Sequence, residues 1–206
     1  MGMHGMTEQN EASAMNRERS ISALVRPDLL GFSFHLAWLC LFMYNVVPGF
    51  AGQSNHDIEF GVFNPVYFYS MISLVIVLCY GIVQTKSFMH LVRSRAGVVA
   101  APVACSLGTL IYSLTASGLT PSSLDTALLI VGGILSGAGS AFLAAHWASA
   151  FGRAKARAFI VNLPLIFAAV LITCLAITYV FAAVALVFAT LLPLASGACL
   201  IYADRY

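Results

Sequence analysis

The stretch GGILSGAGSAFLAAHWASAFGRAKARAF (132–159) decides how the whole chain is read. It opens on glycine, alanine and serine, presents His146 and Trp147, and closes on Arg153, Lys155 and Arg157. A glycine-rich run followed by basic residues is either a phosphate-binding loop or a helix that another helix must approach closely. A P-loop requires G-x-x-x-x-G-K-[ST] after a strand, and the first lysine here is Lys155. A dinucleotide loop requires G-x-G-x-x-G within a βαβ unit; Gly137-Ala138-Gly139 lacks both the third glycine and the setting. The helical reading fits. Gly132, Ser136 and Ser140 recur every four residues, as do Gly133, Gly137 and Ala141. This small-xxx-small pattern lets backbones approach in a solvent where apolar burial gives no driving force. Gly133, Ser136, Gly137 and Ser140 are therefore expected to be helix-packing positions.

Composition agrees. Of 206 residues, 60% are hydrophobic and 9% are charged, whereas soluble domains carry about 25% charged residues. Six apolar segments are long enough to cross about 30 Å of hydrocarbon, near 29–50, 66–85, 97–117, 125–149, 157–176 and 179–202. The last two are separated only by Ile177–Thr178, so a tight hairpin is expected there. The expectation is an all-α polytopic membrane protein with six transmembrane helices (27–206) after a disordered polar tail (1–26). No apolar segment follows the N-terminus closely enough to be a secretory signal.

Charge placement orients these spans. The ten Lys and Arg are Arg17, Arg19 and Arg26 in the tail, Lys86, Arg93 and Arg95 after the second span, Arg153, Lys155 and Arg157 after the fourth, and Arg205 at the end. All fall on one side of a six-span map. The alternate loops 51–65, 118–124 and 177–178 have none. By the positive-inside rule both termini are cytoplasmic, in a cell inner (cytoplasmic) membrane.

No Asp, Glu, Lys or Arg lies in the middle of a span, whereas ion-coupled carriers usually keep an intramembrane carboxylate. Asp28 and Asp125 stand at helix starts, where they favour the dipole, and Ser122 or Ser123 can cap. No catalytic constellation is present, so no enzyme and no cofactor are expected. Cys40, Cys79, Cys105, Cys174 and Cys199 lie in apolar runs without C-x-x-C spacing and read as buried small side chains. His56, Asp57 and Glu59 in the loop 51–65 lack the cage that a metal site needs. The aromatics after them suit a headgroup boundary. Pro48, Pro102, Pro164 and Pro193 lie in or near four spans and allow bends.

Gly31, His35, Trp38, Phe42, Asn45 and Gly49 share one face of the first span, against Leu36, Leu39, Met43 and Val46 on the other. The polar and small face is expected to turn inward. Depth then places His35, His146 and Asn162 in the cytoplasmic third of the bundle, His35 roughly 10 Å in. Two readings follow. These residues bridge helices by hydrogen bonds of about 0.6 kcal/mol each, or they form a polar ligand pocket with Asn45, flanked by Trp38 and Trp147.

RPDLLGFSFHLAWLCLFMYN (26–45) and GILSGAGSAFLAAHW (133–147), with the six-span layout, resemble half of a major-facilitator bundle. More narrowly, they resemble the membrane portion of bacterial LuxR-type regulators, in which such a bundle precedes a helix-turn-helix domain. The resemblance implies a sensory or regulatory module, in a lipid bilayer, that binds a small or lipophilic ligand and signals to a cytoplasmic partner without binding nucleic acid itself. The alternatives are half of a facilitator-type transporter, completed by a second six-helix half or a homodimer, and a non-catalytic assembly subunit. The chain is either the membrane part of a longer regulator or a six-helix protein in its own right.

Overall fold

Residues 125–153 have no proline and few β-branched residues, so nothing in them breaks a helix. In the computed structural model, which describes residues 27–43, 65–116, 118–153 and 156–203, they form one continuous helix of 29 residues. The regular elements among the described residues are all helices, with no strand. In chain order the helices are α1 (Pro27–Met43), α2 (Pro65–Val83), α3 (Thr85–Arg93), α4 (Arg95–Ala116), α5 (Asp125–Arg153), α6 (Ala156–Thr178) and α7 (Ala182–Ala203). Four of them, α2, α4, α5 and α7, are long and apolar enough to cross a membrane, and α1 and α6 contribute the shorter apolar stretches Leu29–Phe42 and Asn162–Thr178. Their outer faces carry Phe68, Ile76, Phe167, Leu171 and Phe188, each at least half exposed. Such a surface suits hydrocarbon and not water. The tail 1–26, Asn45, Pro48, Gly49, the His56–Asp57–Glu59 loop, Lys155 and Arg205 lie outside the described residues.

The side-chain bonds give the helix directions. Tyr67 at the start of α2 donates its hydroxyl to the Phe42 carbonyl at the end of α1. Ser33 and Ala37 of α1 meet Ile166 and Cys174 of α6 in parallel order, while Ser106 and Pro102 of α4 meet Thr190 and Gly197 of α7 in antiparallel order. Helices α1, α4 and α6 therefore run one way, and α2, α5 and α7 the other.

Helix α5 sits between two neighbours and presents a different stripe to each. Gly133 and Gly137 face α2: a Cβ at Gly133 would lie 2.9 Å from the Val66 carbonyl oxygen, and one at Gly137 would collide with the Ser70 carbonyl. Gly132, Ser136 and Gly139 face α4, where a Cβ at Gly139 would lie 2.7 Å from the Cys105 nitrogen. Ser136 Oγ returns its proton to the Gly132 carbonyl at 2.7 Å, which keeps a hydroxyl dry inside this contact. Ser73 reaches across from α2 to the Ile134 carbonyl (2.9 Å). Gly133, Ser136, Gly137 and Ser140 are all buried.

The prolines inside helices also sit at contacts. Pro102 packs its ring where Gly197 of α7 has no side chain. Pro193 removes one backbone donor from α7, and in that turn the Thr190 carbonyl accepts Ser106 Oγ at 2.7 Å.

Three boundaries differ from the sequence reading. The segment 84–97 is not simply a loop: α3 occupies most of it, with Phe88 and Val92 buried and Lys86, His90 and Arg93 exposed. Phe88, Met89, Leu91 and Val92 recur at helical spacing, so this short amphipathic helix was legible in the sequence, though too short to cross a membrane. The turn before the last helix lies at Tyr179–Phe181 instead of Ile177–Thr178, because the α6 ladder continues through Tyr179 N to the Leu175 carbonyl. Helix α5 reaches Arg153, beyond the expected end at 149. At its start Asp125 lies in the first turn as expected, and its carboxylate accepts Thr120 Oγ1 at 2.5 Å.

Candidate functional site

The two tryptophans anchor helices. Trp38 of α1 is buried and donates Nε1–H to Thr109 Oγ1 of α4 at 3.0 Å. Trp147 of α5 is buried and donates Nε1–H to Ser196 Oγ of α7 at 3.0 Å. An indole donor in hydrocarbon needs an acceptor, and Thr109 and Ser196 supply it. Neither acceptor was picked out from the sequence, where single hydroxyls in apolar spans carry no pattern.

Aromatic rings collect around each indole. Phe32, Trp147 and Phe151 form one group, with Phe32 and Phe151 edge-to-face at 4.9 Å. His35, Trp38 and Phe42 form a stacked ladder on α1, with centroid separations of 6.0 and 5.1 Å. Tyr67 and Tyr112 meet the Phe42 ring edge-on. Gly31 permits the approach between the groups: a Cβ there would lie 2.7 Å from the Trp147 ring and 2.5 Å from Cys199 Cβ.

One large cavity, about 1130 Å³, opens where α3 meets α4 and the last turns of α5 and α7. Its polar lining residues are Arg93, Arg95, His146 and Ser149. Val92, Val98, Leu200 and Ile201 are among its apolar lining. Both guanidinium groups belong to exposed residues, whereas His146 is buried. Ser94 shapes the rim by closing α3 and opening α4: its Oγ donates to the Leu91 carbonyl at 2.7 Å and accepts the Gly97 N–H at 2.9 Å.

Of the residues read as a ligand pocket, the structure places His146 in this cavity, and His35, Trp38, Trp147 and Asn162 are not among its lining. His35 is buried against Trp38, and Asn162 is half-buried on α6. Arg93 and Arg95, read from the sequence only as topology signals, stand in the cavity wall beside apolar side chains. Among the described residues no group of three His, Cys, Asp or Glu side chains could hold a metal ion.

No family model, curated protein or solved structure matches the chain.

Proposed function

We infer that this chain is a membrane sensory or regulatory module that takes an amphipathic anion into the cavity between α3, α4, α5 and α7. The observation that carries this reading is the composition of that cavity, whose lining combines Arg93, Arg95 and His146 with Val92, Val98, Val99, Leu200 and Ile201. Arg binds phosphate and carboxylate through a fixed fork of donors, and the aliphatic lining accepts a chain. A volume near 1130 Å³ is slightly above the roughly 300–1,000 Å³ usual for small-molecule sites, so there is room for a chain.

The route to a cytoplasmic partner runs through α3. This helix brings Arg93 to the cavity, rests on α5 through Phe88 stacked on Phe142 at 5.1 Å, and leaves Lys86 and His90 exposed. An occupant drawing on Arg93 acts on a helix held by few buried side chains, the kind of element that shifts at low cost. The resemblance of 26–45 and 133–147 to LuxR-type regulators supplies the class of partner, a helix-turn-helix domain. Dodecyl phosphate tests the reading. In neutral detergent it is expected to raise the Tm of the protein, dodecyltrimethylammonium is not, and Arg93→Glu with Arg95→Glu is expected to weaken the response tenfold or more. Equal responses to both probes, or no effect of the charge reversal, would sink it.

The same reading makes the molecule a six-span protein of a cell inner membrane with both termini cytoplasmic. Its support is the one-sided placement of all ten Lys and Arg. A single cysteine at Gln53 is expected to react with an impermeant maleimide on intact cells, and one at Ser94 only after lysis. Labelling of the Ser94 site in intact cells would reverse the map.

A further inference from the structure

His35 is the least satisfied polar side chain in the described core. It is 1% exposed, and neither Nδ1 nor Nε2 has a hydrogen-bond partner in the protein. A neutral imidazole carries one donor and one acceptor. Leaving both unmet in a dry interior costs about 1–3 kcal/mol for each group, which no bundle of this size tolerates without a reason. Ser140 of α5 repeats the problem: it is 2% exposed, and its hydroxyl has no partner.

The register of α1 against α5 brings these two side chains to one depth. Gly31 of α1 lies against the Trp147 ring of α5. The two helices run in opposite directions, and helical side chains lean toward their own N-terminus. The Trp147 ring thus covers the turn before it, level with Gly31. One turn further along α1 comes His35, on the same face as Gly31. One further turn back along α5 comes Ser140, in line with Trp147 by sevens. Helical phase puts both on inward faces, His35 in line with the buried Gly31 and Trp38 and Ser140 in line with the buried Trp147. Ser196 of α7, which accepts the Trp147 indole, is buried too.

We propose that His35 and Ser140 share a buried water site at the centre of the bundle, sealed between Trp38 and Trp147. A buried water requires two to four polar partners. The two ring nitrogens point apart, so one of them and the Ser140 hydroxyl supply two, without any change of charge inside the apolar layer. Neither His35 nor Ser140 is among the residues that line the cavity at His146, so this site is separate from it.

Spectroscopy of the full chain in lipid nanodiscs tests the proposal, with 15N-labelled histidine assigned through His35→Gln. The His35 ring N–H is expected to show a cross-peak to a slowly exchanging water, and Ser140→Ala is expected to remove it. Stability supplies the second readout. His35→Leu and Ser140→Ala are each expected to lower Tm by about 2–4 °C, and the double variant by no more than the larger single. A folded protein without the cross-peak, a cross-peak indifferent to Ser140→Ala, additive losses, or a gain in Tm for His35→Leu would each overturn it.

Discussion

Gly137→Ala is expected to lower the Tm of the protein by roughly 5–10 °C, corresponding to about 2–3 kcal/mol. The sign is the informative part. At an ordinary helix position this change is favourable by about 0.8–1.0 kcal/mol, because alanine costs less backbone entropy. At Gly137 the added methyl would collide with the Ser70 carbonyl of α2, a backbone atom that cannot move aside as a side chain end would. Relief requires separating α2 from α5, and lipid offers no apolar driving force to hold the remainder together. Gly139→Ala should behave alike, since its methyl would meet the Ala101 carbonyl at 2.8 Å and the Cys105 nitrogen. Gly152 supplies the control on the same helix: nothing lies within 4 Å of its Cβ position, so Gly152→Ala should be neutral or stabilising. Thermal unfolding in detergent of the three variants decides the matter. Equal behaviour at Gly137 and Gly152 would mean that α5 does not pack against α2 through this stripe.

How far the sequence can be read is clearest on this helix. Recurrence of small residues every four positions marks α5 as closely packed, because only backbone proximity explains glycine spaced so regularly in an apolar helix. Spacing does not say which neighbour each stripe meets. That Gly133 and Gly137 face α2 while Gly132 and Gly139 face α4 depends on tertiary arrangement. The inward face of α1 is legible in the same way, from the phase of Gly31, His35, Trp38 and Phe42, all of which are buried. Depth arguments carried less far. They put His35, His146 and Asn162 at similar heights, but height is one coordinate of three. The cavity wall takes His146 without the other two, and its cationic partners are Arg93 and Arg95. Those arginines come from the junction of α3 and α4, a segment whose helical character rests on two inward side chains, Phe88 and Val92. A site assembled from the ends of four helices leaves no contiguous motif.

Trp147→Ala is expected to be the most damaging change near the bundle centre, with a loss on the order of 3 kcal/mol and a fall in Tm of roughly 6–12 °C. The indole is fully buried, lies against Gly31, stacks near Phe32 and Phe151, and donates to Ser196. Truncation removes all of these at once. In a soluble protein part of such a loss reflects transfer from water; inside a bilayer the cavity and the lost van der Waals contacts dominate. Trp147→Phe separates the hydrogen bond from the volume. It keeps a ring against Gly31 but gives up the donor to Ser196, so its cost should be near 1 kcal/mol, read as a fall of about 2–4 °C. The ordering is the test: the alanine variant should lose several times what the phenylalanine variant loses. Similar losses would put the hydrogen bond above packing in this layer, and a silent alanine variant would mean that Trp147 does not occupy the contact between α1, α5 and α7. In the water site proposed above this ring is one of the two that seal His35, so its removal should also expose the His35 imidazole to bulk exchange. A His35 ring N–H that stays as protected in Trp147→Ala as in the parent would place the seal elsewhere.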